Sequence, residues 1–405
     1  MGRALSSLRK HPLLFLYLFL LTVKSFQEVG GVRLGSLLLG VLLGLTVILG
    51  RMAPVKEHIY AACGLGLAFL VTTLVTGKDW LYLGFFYVVL LSNIAAFAYA
   101  RRCRIDPEEL ARMFVFAQFP LVLASWLTFR EQWYGGYEIQ SFSDFNTFFA
   151  LQLSILLPYV LVQRGFFYSL LAILTLFFLG SRAGILSIPV AYLILRRREL
   201  WKASSLKGIM IVGVLVGIAA IGANVSEAVR SLTVFYSNKF VNIGGDNEFG
   251  DGANPSDMGR MAYAYATLGH INGSNVLLGS GIKNNQNIIR ETLGAAGLQD
   301  VIGESFLQGR VHNVFLELLS DVGLVGLAIL ATALGRALVF LWHERLDVHL
   351  ASIVIFILQY NVESNYISFF FVFMVFYYLY VVSWYARSNH RKTVQRRGLA
   401  QVNSR

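Results

Sequence analysis

His312-Asn313-Val314-Phe315-Leu316-Glu317 lies near the end of a polar interval, residues 224–322, around which this chain is organised. The interval is the one long segment of the sequence that is too polar to lie in a bilayer. The sequence on both sides of it consists of apolar runs. We therefore expect membrane helices before and after the interval, and the chemistry of the protein within it.

The composition indicates a membrane protein. Of the 405 residues, 56% are hydrophobic, 14% aromatic and only 14% charged. A soluble fold of this length could not bury so much apolar surface, so lipid must be the solvent. The formal net charge of +11 suggests nucleic acid as a partner. However, the Lys and Arg residues occur in short runs between apolar stretches, which membrane topology explains better. We expect no nucleic-acid partner.

The apolar runs predict an all-α polytopic protein with about twelve transmembrane helices, each about long enough to cross ~30 Å of hydrocarbon. Nine runs precede the polar interval, at 11–26, 34–50, 59–76, 80–100, 110–128, 145–163, 166–180, 183–196 and 207–223. Three follow it, at 323–342, 347–362 and 366–385. The predicted organisation is helices 1–9 in residues 1–223, a large loop in 224–322, helices 10–12 in 323–386, and a basic tail in 387–405.

Basic residues are concentrated in alternate connections between the predicted spans. Arginine and lysine favour the cytoplasmic side of a membrane protein. This bias predicts cytoplasmic N- and C-termini. By the same count, the large loop and the short turn at 180–184, which contains Arg182, lie together on the opposite face.

Within the large loop, residues 242–252 are rich in Gly, Asn and Asp, which favours irregular backbone. A helix is predicted from Arg260, and a tight backbone turn at 277–281. A second short helix is predicted near 286–293. His312 opens a further helical pattern that leads into the tenth span.

Three groups of residues together resemble the O-antigen ligase and polymerase superfamily of bacterial inner membranes. They are Gly259-Arg260, then Leu278-Gly279-Ser280-Gly281, then His312-Asn313 with nine residues to Gly323-Leu324-Val325-Gly326. The last spacing is most similar to the ligase branch. Members of that branch often continue with two threonines, where this chain has Leu327-Ala328. The choice between ligase and polymerase therefore stays open.

The resemblance implies a GT-C-like glycosyltransferase of the Gram-negative inner membrane, with a partly helical periplasmic loop that carries the active site. Such an enzyme transfers O-antigen glycan from undecaprenyl diphosphate to a sugar hydroxyl of lipid A-core. Arg182 and Arg260 are the predicted diphosphate ligands, because a guanidinium group binds phosphate oxygens bidentately and stays charged. His312 is the predicted general base, because imidazole is mostly neutral near neutral pH.

With one base and no evident carboxylate nucleophile, we expect a single in-line displacement that inverts the anomeric configuration. We expect no metal or other cofactor. The acids of residues 246–257 lack the ordered ligand spacing of a calcium loop.

Each candidate also has a structural interpretation. Arg182, in an interhelical turn, could be an anchor at the membrane interface. Arg260 could be a solvated loop charge, and His312 could be a structural histidine at the interface. Their joint occurrence at family spacing favours the functional interpretation. The supporting candidates are Asn313, Gly279, Gly281, Glu363, Lys283 and Arg310.

Three rival functions remain open at this point. A polymerase would use a second carrier-linked glycan as acceptor, and a protein O-oligosaccharyltransferase would use Ser or Thr. From a different class, the chain could be a transporter of lipid-linked glycan. Charged residues within the predicted spans are scarce, with Arg336 a lone candidate, and transport pathways usually need more.

Overall fold

The computed structural model describes the greater part of the chain. The described residues are 9–22, 40, 44, 54–77, 80–127, 129–131, 137–139, 146–162, 165–179, 182–197, 267, 275–281, 291, 313–360 and 369–403. Two predicted spans, 34–50 and 207–223, fall outside them apart from single residues in the first. The predicted helices from Arg260 and near 286–293 likewise lie outside the described ranges, apart from the single residues 267 and 291.

The described part is a bundle of apolar helices with one short antiparallel ribbon. The helices before the polar interval are α1 (Pro12–Thr22), α2 (Lys56–Thr76), α3 (Trp80–Arg102), α4 (Pro107–Trp126), α5 (Asn146–Val162), α6 (Phe166–Phe178) and α7 (Arg182–Leu195). The others are α8 (Asn275–Leu278), α9 (Val314–His343), α10 (Asp347–Tyr360) and α11 (Phe369–Asn403). Strands β1 (Phe129–Glu131) and β2 (Tyr137–Ile139) pair with Phe129 opposite Ile139.

Local sequence explains several helix ends. The Asp106 carboxylate accepts a hydrogen bond from the backbone N–H of Glu109 at 2.7 Å, and Pro107 begins α4. This arrangement is a side-chain N-cap with proline at the first helical position. At the end of α2, Gly77 has φ 67°, and its N–H donates to the Thr73 carbonyl. Glycine is favoured at this position because it adopts the left-handed conformation without steric cost.

Among the described residues, four helices are long and apolar enough to cross a membrane: α2, α3, α9 and residues 370–388 of α11. Five shorter apolar helices, α1, α5, α6, α7 and α10, have 11 to 17 residues. At 1.5 Å per residue they rise only about 16 to 26 Å. The fold is therefore that of a helical membrane protein, and the number of twelve spans stays a prediction.

The structure differs from the sequence-based prediction in three details. The ribbon β1–β2 departs from a purely helical chain. Arg182 is the first residue of α7, where the sequence suggested an interhelical turn. The last helix continues through the boundary predicted between span and tail and ends at Asn403; residues 386–403 contain no proline and only one glycine.

Hydrogen bonds join several chain segments at one end of the bundle, which we call the basic end. Arg101 donates to the Pro54 carbonyl at 3.0 Å, and Tyr380 donates to the Ile105 carbonyl at 2.6 Å. The side chains of Arg197 and Asp347 form an ion pair at 2.6 Å. Most described basic residues of the bundle lie at this end: Arg9, Lys10, Lys56, Arg101, Arg102, Arg104, Arg196, Arg197, Arg345 and Arg387.

The interior combines aromatic packing with a few polar contacts between helices. His58 of α2 stacks on Phe376 of α11 with ring centroids 4.9 Å apart, and its Nε2 lies 2.8 Å from the Phe376 carbonyl oxygen. Tyr17 of α1 donates to Asn93 of α3 at 2.9 Å. Polar groups buried between apolar helices need such partners, since lipid offers none. These contacts join α1 to α3 and α2 to α11.

Candidate functional site

The strap, which we define as residues 275–281, is a described part of the large polar loop that packs on helices. It consists of the short helix α8, followed by Gly279, Ser280 and Gly281. Both glycines have positive φ, 73° and 107°. Of the turn predicted at 277–281, residues 277 and 278 belong to α8, and residues 279–281 follow it with the two positive φ angles. The strap lies against α9 and the end of α2.

Helix α9 is interrupted where the strap touches it. Gly323 has φ 71° and ψ −169°, a conformation that is essentially restricted to glycine. A helix break leaves carbonyl groups without regular partners, which is costly away from water. Here the Ser320 carbonyl accepts from the N–H and hydroxyl of Ser280 at 2.8 and 2.9 Å, and the Asp321 carbonyl accepts from Gly281 N–H at 3.2 Å.

Two glycines allow the backbones of strap and helix to approach closely. A methyl group on Gly279 would overlap the backbone of Asp321 and would come within 2.5 Å of the Val322 nitrogen. A methyl group on Gly323 would overlap the Leu277 carbonyl and come within 2.6 Å of the Gly279 nitrogen. The two sequence groups Leu278-Gly279-Ser280-Gly281 and Gly323-Leu324-Val325-Gly326 therefore meet in space.

Asn313 begins α9 directly after the predicted base. Its side-chain oxygen accepts hydrogen bonds from the N–H groups of Phe315 and Leu316, each at 3.0 Å. This is a side-chain N-cap, so Asn313 fixes where the helix starts. The positive end of the helix dipole also lies here, which favours a negative charge nearby.

Two buried acids of α9 were not identified from the sequence. Glu317 and Asp321 are 8% and 0% exposed. They lie four residues apart and so occupy one side of the helix, one and two turns after Asn313. A buried carboxylate is costly unless it is paired or hydrogen-bonded. Acids at this spacing in an otherwise apolar helix are the signal that could have identified them.

Thr72 on α2 also contacts the strap and has no obvious signal in the sequence. Its hydroxyl lies 2.7 Å from the Leu278 carbonyl oxygen. Gly281 lies beside Thr76 one turn further along, because a methyl group there would be 3.2 Å from the Thr76 hydroxyl. The C-terminal end of α2 thus forms one wall of the site.

The first turn of α7, which begins at Arg182, lies at the same end of the bundle as the strap. The side-chain amide of Gln359, near the end of α10, donates to the Ala183 carbonyl at 2.7 Å. The next residue, Tyr360, packs on Phe371 of α11 with ring centroids 4.8 Å apart. Phe371 and Leu318 of α9 line the same small apolar cavity. A chain of contacts therefore joins the start of α7 to the start of α9.

Several predicted site residues fall outside the described part of the chain: Arg260, Lys283, Arg310, His312 and Glu363. Of the others, the structure brings Gly279 and Gly281 against α9, the helix that Asn313 caps. Arg182 is placed by its backbone at the start of α7. Within the described residues, no group of three or more His, Cys, Asp or Glu side chains could hold a metal ion.

The fold and the site together define a helical membrane protein with a polar segment inserted against a broken helix at one end of the bundle. Residues 167–331 match the model of the family described as O-antigen ligase. This match begins at the second residue of α6 and extends through α7 and the strap into the first half of α9, so this part of the chain is similar to the O-antigen ligase family. No curated protein matches the chain.

Proposed function

We propose that this protein transfers O-antigen glycan from undecaprenyl diphosphate to a sugar hydroxyl of lipid A-core at the periplasmic face of the inner membrane. The observation that carries the proposal is the family match over residues 167–331. The matched region contains the strap, the break in α9 and the Asn313 cap that follows His312. These features contain the glycine groups and the His-Asn pair on which the sequence resemblance rests.

The distribution of charge supports a periplasmic site. Most described basic residues of the bundle lie at the basic end, whereas the strap lies at the opposite end, with Arg130 and Arg182 on its side. Positive charge favours the cytoplasmic face. The strap end is then periplasmic, and both termini are cytoplasmic.

The proposed chemistry needs one base and a cationic site for the leaving group. His312 removes the proton from the acceptor hydroxyl as this oxygen attacks the anomeric carbon. The bond to the diphosphate oxygen breaks, and Arg182 and Arg260 bind the undecaprenyl diphosphate that leaves. The positive end of the α9 helix dipole adds to the positive potential around the leaving diphosphate. A single displacement of this kind inverts the configuration at the anomeric carbon and needs no metal ion.

We assign Glu317 and Asp321 to the support of this cationic site. Both side chains are buried, one and two turns after Asn313. Basic groups of the site would stabilise their ionised carboxylates. Lys283, Arg310 and Glu363 stay supporting candidates in the same compartment.

The test is an acceptor assay with purified protein and carrier-linked glycan. Three acceptors are compared: lipid A-core, a second carrier-linked glycan, and a pilin-like protein. Transfer to lipid A-core alone supports the ligase. Elongated carrier-linked glycan would identify a polymerase, and glycosylated protein would identify an O-oligosaccharyltransferase. No transfer to any acceptor, together with movement of carrier-linked glycan across a vesicle membrane, would favour the transporter.

Two further measurements test the mechanism. Activity should persist in EDTA, and its loss there with recovery on addition of Mg²⁺ or Mn²⁺ would contradict metal independence. The new linkage should show inverted anomeric configuration by NMR, and retention would reject the single displacement.

A further inference from the structure

The strap is anchored to α2 by a side chain that lies outside the region matched by the family. The Thr72 hydroxyl is 2.7 Å from the Leu278 carbonyl oxygen and 3.0 Å from the Ala68 carbonyl oxygen of its own helix. A hydroxyl has one proton, so the two carbonyls share it. Thr72 is completely buried, so water cannot replace this contact easily.

The neighbouring threonines of α2 differ from Thr72. The Thr76 hydroxyl donates to the Thr72 carbonyl within the same helix at 2.9 Å. The Thr73 hydroxyl is buried and makes no hydrogen bond to any residue that the structure describes. Of these three hydroxyls, the one of Thr72 is the one seen to reach the strap.

Hydrogen bonds of the strap connect Thr72 to the second turn of α9. Thr72 holds Leu278, the first residue of the turn that contains Ser280 and Gly281. Ser280 then holds the Ser320 carbonyl, and Gly281 holds the Asp321 carbonyl next to the helix break. The segment that precedes the break begins at Asn313, directly after His312.

We propose that Thr72 is a positioning residue for glycan transfer. It holds the strap against the break in α9, and the strap is hydrogen-bonded to the second turn of α9, so that the helix start that Asn313 caps keeps its place. This inference rests on the proposed function, in which His312 is the base. It adds to the site a residue of α2, which lies outside the matched residues 167–331.

The experiment compares Thr72→Val, which removes the hydroxyl and keeps the shape, with Thr72→Ser, which keeps the hydroxyl. Thr73→Val is the matched control, because it removes an adjacent buried hydroxyl that makes no hydrogen bond to the described residues. Two quantities are measured on purified, monodisperse protein. One is kcat and KM for transfer from carrier-linked glycan to lipid A-core. The other is amide hydrogen exchange of the peptide that contains Ser280 and Gly281.

We expect Thr72→Val to lower kcat about tenfold or more with KM for the donor changed less than about twofold, because misplacement of a reacting group costs rate. Amide exchange in the strap should become ~5- to 30-fold faster, as loss of one buried hydrogen bond would produce. Thr72→Ser should restore both quantities, and Thr73→Val should leave both near the values of the unmodified protein.

Equal effects of Thr72→Val and Thr73→Val would overturn the inference. So would a Thr72→Val variant with unchanged kcat per folded molecule. If Thr72→Val does not fold, Ser280→Ala loosens the same strap from the α9 side, and an unchanged kcat in that variant would also overturn it. If the unmodified protein transfers no glycan, the proposed function fails. The exchange measurement would still show whether Thr72 anchors the strap.

Discussion

Replacing Gly323 by alanine should destabilise the protein by about 2 to 6 kcal/mol. The native φ of 71° and ψ of −169° cost a non-glycine residue roughly 1–3 kcal/mol. The new methyl group would also overlap the Leu277 carbonyl and lie 2.6 Å from the Gly279 nitrogen. Overpacking of this kind costs roughly another 1–3 kcal/mol. Both effects act at the point where the strap meets α9.

Gly335→Ala provides the matched control in the same helix. Gly335 lies in the regular part of α9, and a methyl group there would meet nothing within 4 Å. Alanine should therefore be neutral or should stabilise by about 0.5–1 kcal/mol, since glycine weakens a helix interior. The two substitutions add the same atoms to the same helix and differ only in backbone conformation and surroundings.

The assay is reversible unfolding in mixed micelles, followed by circular dichroism, with the free energy of unfolding compared among the three proteins. Folded Gly323→Ala should in addition show faster amide exchange in the strap, because the Ser280 and Gly281 hydrogen bonds depend on the break. A free energy of unfolding for Gly323→Ala within about 0.5 kcal/mol of the Gly335→Ala value would refute the reasoning. The helix break would then not be required for the packing of the strap.

Three further predictions concern single side chains. His312→Ala should insert and fold normally but lose glycan transfer by a factor of about 10²–10⁴, as removal of a general base does; full activity would exclude His312 as the base. Asn313→Ala should lower the free energy of unfolding by about 1 kcal/mol through loss of the N-cap, while Asn313→Asp should retain the cap; equal stability of the two variants would contradict the capping role. At the basic end, Arg197 pairs with Asp347 at 2.6 Å and lies 4.4 Å from the Trp342 ring centroid. Arg197→Lys should therefore lower thermal stability measurably, because lysine lacks the planar group that serves both contacts, and an unchanged melting temperature would show that neither contact contributes.

Much of the helical framework follows from local sequence. The apolar run predicted at 80–100 is α3, Trp80–Arg102, and the run at 145–163 is α5, Asn146–Val162. Such helices are readable because a bilayer requires apolar side chains and internally satisfied backbone over a set length. The break at Gly323 also falls at the predicted start of the tenth span, although the helix itself begins nine residues earlier, at Val314.

The sequence by itself established that lipid surrounds this protein and gave the approximate positions of its helices. It also contained the glycine groups and the histidine-asparagine pair that resemble the superfamily. Only the tertiary structure showed that Thr72 reaches Leu278 across 206 positions of sequence, and that Glu317 and Asp321 are buried. The physical reason is that hydropathy and capping act over one or two helical turns. Contacts between a loop and two helices depend on how the whole bundle packs, and composition and spacing do not determine that.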